Sequence, residues 1–140
     1  TLFYGHSYTV NALGCAAALA SLEIFRSEGT LASLPEKESV LRTGLDSISR
    51  LDGVEAVRVC GMIGAVDLSR NHDLAARVCA VARGHGLLTR NIRNAIVLMP
   101  PLVISTEQID LAVTALCDSI EIVNTEISKL DMRPESARTS

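Results

Sequence analysis

Apolar and polar positions along the chain recur with two periods, and the switches between them divide it into eight elements. From 10 to 28 almost every position is apolar or small: Gly14, Ala16, Ala17, Ala18 and Ala20 are interspersed with Leu13, Leu19, Leu22 and Ile24, and Glu23 is the first charge. This predicts a helix with Thr9 or Ser7 as N-cap and Gly29 just past its end. A helix apolar on nearly every face is expected to be buried, its small residues admitting a sheet or partner closely. Ser33-Leu34-Pro35-Glu36 then has the form of a capping box, and Val40, Leu41, Leu45, Ile48 and Leu51 recur at helical spacing. Asp52-Gly53 ends this second, amphipathic helix.

Positions 54–60 form a strand, alternating with period two from Val57, and a further apolar run follows at 65–68. Gly61 and Gly64 flank Met62-Ile63 between them. These glycines mark either a bend or bulge in a hairpin or a place where a ligand meets bare backbone, and the hairpin is favoured. Asn71-His72-Asp73 supplies the cap of a third helix, which carries Leu74, Ala75, Val78, Val81 and Ala82 on one face and ends at Gly84-His85-Gly86. Two short strands, 87–92 and 95–99, turn through Arg93-Asn94 and stop at Pro100-Pro101. Ser105-Thr106-Glu107-Gln108 is a second capping box; the helix it opens carries a stripe of Ile109, Ala112, Leu116, Ile120, Val123 and Ile127. Positions 131–140 are polar and expected to fray.

Because the third helix connects two hairpins, the order predicts an α/β fold of the two-layer α+β kind. It consists of a small, mainly antiparallel sheet of about four strands with helices on one face. A doubly wound parallel sheet would need alternating βαβ units and a Gly-rich phosphate loop, and neither is present.

Composition narrows the chemistry. The 140 residues suit one ordinary domain, and 48% hydrophobic against 3% aromatic, with no Trp, means a core of Ala, Val, Leu and Ile. A net charge of −3 argues against nucleic acid as a partner, and no apolar run is long enough to span a membrane. Of the 13 basic side chains only Lys37 and Lys129 are lysines, both in polar, helix-like surroundings that suit solvated heads better than a Schiff-base amine. Cys15, Cys60, Cys79 and Cys117 are scattered among apolar neighbours with no C-x-x-C pair; buried, reduced thiols in a cytoplasmic protein are the expectation. His6, His72 and His85 are too dispersed for a metal site. The opening 1–9 lacks Met, holds both tyrosines and reads as cut from a longer chain.

Two places could bind an anion. Gly5-His6-Ser7-Tyr8-Thr9 puts hydroxyls and free N–H groups at a helix start, where phosphate is favoured, although simple capping is the commoner use. Arg90 alternates with Leu88 and Ile92 and shares their face, so its charge either reaches solvent past the sheet edge or awaits an anion there.

Two motifs at this spacing resemble a family. Gly5-His6-Ser7-Tyr8-Thr9-Val10-Asn11-Ala12-Leu13-Gly14-Cys15-Ala16-Ala17-Ala18, followed by Arg90-Asn91-Ile92-Arg93-Asn94-Ala95-Ile96-Val97-Leu98-Met99-Pro100-Pro101, is similar to the C-terminal part of class III, pyridoxal-phosphate-dependent aminotransferases. The Met-Pro-Pro ending points to the biotin-biosynthesis branch, whose members aminate 8-amino-7-oxononanoate to 7,8-diaminononanoate. The similarity continues through 57–66.

The resemblance implies the small C-terminal domain of a fold-type I transferase at 10–130, with 1–9 leading from a missing large domain and 131–140 as a tail. It places His6 and Ser7 at the phosphate of pyridoxal 5'-phosphate, reached from the second subunit of a homodimer. It makes Arg90 the clamp for the substrate carboxylate, a role suited to a planar, permanently charged fork. Arg93 keeps its role as a solvated turn residue. The amino donor would be S-adenosylmethionine or lysine. The Schiff-base lysine, the aspartate on the pyridine nitrogen and the stacking aromatics belong to the large domain, so this chain alone is expected to be inactive. Val10, Ala12 and His6 depart from the commoner family residues and alter the helix entry and phosphate contacts, leaving the Ser7 hydroxyl in place. Two alternatives remain: another class III ω-aminotransferase, acting on ornithine-like substrates, or a stand-alone small-molecule-binding or dimerisation domain.

Overall fold

A computed structural model describes residues 11–69 and 73–131. The elements run α1 (Ala12–Ser27), α2 (Thr30–Ile48), β1 (Val54–Cys60), β2 (Ile63–Leu68), α3 (Leu74–Gly84), β3 (Arg90–Ile92), β4 (Ala95–Leu98) and α4 (Thr106–Asp131), the order the periodicity predicts. They fall into two compact units, Thr1–Ser33 and Leu34–Ser140.

In the first unit the cap of α1 differs from expectation. Asn11 is the N-cap, its Oδ1 accepting from the Leu13 and Gly14 amides at 3.0 and 3.2 Å; Ser7 and Thr9 lie outside the described residues. Gly29, at φ +60°, sits just past the end of α1 as predicted. Its carbonyl also accepts from the Ala32 and Ser33 amides (2.9 and 3.2 Å), which begins α2 at Thr30, ahead of the expected cap at Ser33. Ser33 therefore does not cap: its hydroxyl donates back to the Thr30 carbonyl at 2.8 Å. Pro35 falls inside the helix, where it has no N–H to give the preceding turn. The expected burial of α1 is also corrected, because none of its residues is buried and Leu13 is 82% exposed. Among its described residues the first unit holds α1 and the first turn of α2, too little chain to enclose a helix that is apolar all round.

The second unit is built on a four-stranded antiparallel sheet in the order β1-β2-β4-β3. Gly61 has φ +55° in the two-residue turn that closes the β1–β2 hairpin at the Cys60–Ile63 pair, as the hairpin reading required. Gly64 has a different cause from either sequence reading: a Cβ there would collide with Leu45 Cδ1 of α2. Its hydrogen lets the helix lie against the strand. In the second hairpin Arg93 takes φ +57° at the turn. Asn94 ties that turn to β2, its Nδ2 donating to the Leu68 carbonyl while its own carbonyl accepts from the Leu68 amide, both at 2.8 Å. β3 is shorter than expected. Thr89 contacts its neighbour through its side chain, Oγ1 donating to the Val97 carbonyl at 2.7 Å, and Leu88 is 84% exposed.

One face of the sheet, with Val66, Leu68, Ile96 and Leu98, is buried in a cluster with Leu41, Leu45 and Ile48 of α2, Val78 of α3, and Ile109, Leu116, Ile120 and Val123 of α4. These α4 residues belong to the predicted stripe, and the capping box at its start forms as predicted: Ser105 N donates to Gln108 Oε1 (3.0 Å) and Gln108 N to Ser105 Oγ (3.2 Å). Asp73 takes the N-cap position of α3 in a left-handed conformation, φ +50°, without a side-chain capping bond; Asn71 and His72 lie outside the described residues. Of the cysteines expected to be buried, Cys79 is buried and Cys117 partly so, whereas Cys15 and Cys60 are exposed. Cys15 lies on the exposed α1, and Cys60 ends β1 opposite the exposed Ile63. Among the described residues no helix is long and apolar enough to cross a membrane, and no cluster of His, Cys, Asp or Glu could hold a metal.

Candidate functional site

Strand alternation and pairing register decide where Arg90 stands. Arg90 pairs with Val97, Val97 with Ala65, and Ala65 with Arg58, so these four side chains form one row across the sheet. The adjacent row is Ile92, Ala95, Asp67 and Ala56. Both rows project from the face opposite the buried Val66, Ile96 and Leu98, so Arg90 shares its face with Ile92, as alternation predicts. The helices of the second unit pack on the other face, and Arg90 stands exposed on the edge strand of the open one.

The second arginine of the row is already engaged. Arg58 grips Asp67 with two parallel bonds, Nε to Oδ2 at 3.0 Å and Nη2 to Oδ1 at 2.7 Å, a fork that aligns β1 with β2. Sequence reading had missed this pair. The Gly61-Met62 turn could have found it, since once Cys60 pairs with Ile63 the register brings Arg58 and Asp67 to one face on neighbouring strands. Arg90 by contrast has no carboxylate partner among the described residues. Its five donors can meet a planar carboxylate in two parallel bonds. Fully hydrated, such a contact contributes little; it becomes strong and selective only where water is excluded from one side.

Several cavities open on the second unit, two of them at the ends of the β3–β4 hairpin. A depression of about 390 Å³ at the hairpin tip is lined by Ser69, Asp73, Asn91, Arg93 and Asn94 with the start of α3. Arg93 thus sits at the turn, as expected, and Asn91 braces it by donating from Nδ2 to the Arg93 carbonyl at 2.8 Å. An apolar cleft of about 260 Å³ opens at the other end of the hairpin among Leu41, Leu87, Leu98, Met99, Pro101 and Ile109. Arg90 lines neither. His6 and Ser7, the predicted phosphate residues, lie outside the described residues.

Lys37 is held, and two of the four cysteines are buried or partly so. Lys37 Nζ donates to the Leu102 carbonyl at 2.8 Å, pinning the segment after Pro100-Pro101 to α2, and Lys129 lies in the last turn of α4. Burial pushes the Cys79 thiol above its ordinary value despite the nearby Arg83 guanidinium. Cys117 is raised likewise, by burial first and then by the carboxylates of Glu121 and Asp118. Both stay protonated and unreactive near neutral pH.

Comparison with known proteins gives a consistent result. The profile of the family described as Aminotransferase class-III matches residues 2–120. The adenosylmethionine-8-amino-7-oxononanoate aminotransferase of Geobacter sulfurreducens is 44% identical over 133 residues, covering 88% of this chain and 29% of the relative. The crystal structure of the Methanocaldococcus jannaschii enzyme of the same name superposes with a TM-score of 0.80 at 31% identity, over 87% of this chain and 30% of the other. A transaminase from the marine bacterium Virgibacillus superposes with a TM-score of 0.82 at 29% identity, over 91% of this chain and 32% of the other. The chain spans less than a third of the length of each.

Proposed function

The chain belongs to the class III aminotransferase family, and from that premise we propose that it is the C-terminal part of a pyridoxal-phosphate-dependent enzyme that aminates 8-amino-7-oxononanoate to 7,8-diaminononanoate in biotin biosynthesis. The names of the relatives in Geobacter and Methanocaldococcus support this substrate. They also favour adenosylmethionine over lysine as the amino donor. The single observation in the structure that carries the reading is Arg90, a guanidinium without a carboxylate partner among the described residues, projecting from a sheet face on which the other arginine is neutralised.

Pyridoxal phosphate, when bound, takes an amino group from a donor and delivers it to a ketone. The residues of this chain would hold the ends of the reacting system. Arg90 grips the carboxylate of the oxononanoate, fixing how far its ketone reaches and rejecting chains without the charge. The helix start with the Ser7 hydroxyl, and His6 beside it, would receive the cofactor phosphate from across a homodimer interface. Lys37 is held by the Leu102 carbonyl and is not offered as the cofactor's lysine. That lysine belongs to the preceding large domain, and this chain alone would be inactive. We place the complete enzyme in the cytoplasm. A different ω-aminotransferase activity has less support, because the Geobacter and Methanocaldococcus relatives, at 44% and 31% identity, carry the oxononanoate name.

The test is kinetic, in the complete enzyme. Arg90→Ala removes a bidentate, charge-assisted contact of about 1.5–3 kcal/mol, which corresponds to a loss of roughly 10- to 100-fold in kcat/KM for the carboxylate-bearing ketone. Turnover of an analogue lacking the carboxylate should be unchanged. Equal losses on both ketones, or none on either, would remove Arg90 from the substrate site.

A further inference from the structure

We propose that Thr89 is a positioning residue for the substrate-binding arginine: its hydroxyl pins the open end of β3 to β4 and so fixes where the Arg90 guanidinium meets a carboxylate. The inference deepens the proposed function and rests on its assignment of Arg90.

The backbone around Arg90 is sparsely tied. β3 pairs with β4 at Arg90, Asn91 and Ile92, and Arg90 is the first of these three. As the edge strand it has no neighbour on its other side among the described residues. The far end of the strand is braced twice, by Asn91 Nδ2 on the Arg93 carbonyl and by Asn94 Nδ2 on the Leu68 carbonyl, both at 2.8 Å. At the near end the chain arrives from α3. The Leu87 amide still donates to the Ala82 carbonyl at 2.9 Å, and Leu88 is 84% exposed. Among the described residues Leu88 and Thr89 then make a single hydrogen bond, from Thr89 Oγ1 to the Val97 carbonyl at 2.7 Å. Val97 is the residue that pairs with Arg90. The hydroxyl therefore carries the attachment of β3 one residue past the point where backbone pairing stops, and it does so at the Arg90 pair itself.

Thr89 and Arg90 serve opposite faces of the sheet. Thr89 is half-buried and lines the apolar cleft with Leu98, Met99 and Ile109, whereas Arg90 stands on the open side. A hydroxyl in apolar surroundings meets little competing water, so its bond holds more firmly than one on an open surface. The consequence for Arg90 follows from the length of its side chain. The guanidinium lies several bonds from the backbone, so a loose Cα spreads it over a wide arc, and a bidentate contact needs two of its N–H groups in place at once. Fraying of β3 lowers the fraction of enzyme with the fork in position, and apparent affinity falls with that fraction. Ground state and transition state carry the same carboxylate, so the loss falls on KM rather than kcat.

The test uses the complete enzyme and two variants. Thr89→Val keeps the branched shape, offers the apolar cleft a methyl group and removes the donor; Thr89→Ser keeps the donor. A neutral hydrogen bond shifts a local equilibrium by roughly 2- to 10-fold, and Thr89→Val is expected to raise KM for the carboxylate-bearing ketone within that range. Its kcat, and its kinetics on an analogue lacking the carboxylate, should be unchanged, and Thr89→Ser should retain the wild-type KM. In an Arg90→Ala background Thr89→Val should add no further loss, because a positioning residue has nothing left to position. A second readout needs no substrate: amide hydrogen exchange in peptides covering 86–92, followed by mass spectrometry, should quicken in the valine variant and not in the serine variant. An unchanged KM, an equal loss on both ketones, a loss that serine shares, a further loss in the Arg90→Ala background or unaltered hydrogen exchange would each overturn the proposal. Failure of the underlying reading looks different. Equal losses or none from Arg90→Ala itself sink the assignment of Arg90, whereas a selective loss from Arg90→Ala with none from Thr89→Val sinks the role of Thr89 alone.

Discussion

Gly64 offers a test in which two physical effects predict opposite signs. Gly64 lies in β2 without the left-handed backbone that would require glycine. On backbone entropy alone, Gly64→Ala would stabilise the fold by about 0.4–1 kcal/mol. The structure predicts the reverse, because the added Cβ would overlap Leu45 Cδ1 and lie 3.8 Å from Leu45 Cγ and 3.9 Å from Leu41 Cδ1. Both leucines are essentially fully buried, at 0% and 1% exposure, so Leu45 cannot swing away without displacing the core. Overpacking of this kind costs about 1–3 kcal/mol, which outweighs the entropic gain. Leu45→Ala alone should cost about 2–5 kcal/mol by opening a cavity. In the double variant the new methyl enters the space the leucine vacates, so the total loss should be at least about 1 kcal/mol smaller than the sum of the single losses. Urea unfolding followed by far-UV circular dichroism measures all four proteins. A neutral or stabilising Gly64→Ala, or strictly additive losses, would refute close packing of α2 on β2 as the reason for the glycine.

Ser105→Ala should lower stability by about 1 kcal/mol, because the Gln108 amide loses its acceptor at the start of α4, while Ser105→Asp should largely restore it; urea midpoints decide. Cys79 predicts a pH effect with a definite sign. Burial raises its folded pKa above the ordinary 9.0, so its contribution is intact below pH 9. It is lost as pH rises from there toward the folded value, because the unfolded chain ionises first. Urea midpoints between pH 8 and 10.5 should therefore fall more steeply for the wild type than for Cys79→Ala, and parallel curves would contradict the assignment.

Much of the second unit was legible because its determinants are local. Gly61 at a two-residue turn, the Arg93-Asn94 turn and the Ser105–Gln108 capping box each act within a few residues, and each is found where the sequence placed it. The start of α2 was misplaced for an equally local reason. Ser33 satisfied the capping pattern, but Gly29 offered its carbonyl to Ala32 and Ser33 first, and the helix ran back to Thr30. The exposure of α1 and of Cys60 could not be read from apolar neighbours, since hydrophobicity says that a surface needs covering and not whether this chain covers it.

For the site, sequence alone determined that Arg90 lies on a strand with Ile92 on its own face, and that it stands in a motif like that of class III aminotransferases. Period-two alternation requires the first, and the spacing of motifs along the chain carries the second. Only the tertiary structure decided which face that is. The order β1-β2-β4-β3 sets Arg90 in a row with Val97, Ala65 and Arg58, and the packing of α2, α3 and α4 on the opposite side leaves that row open. Such pairings join residues tens of positions apart, and their outcome depends on which surfaces pack best together. A local pattern carries no record of that.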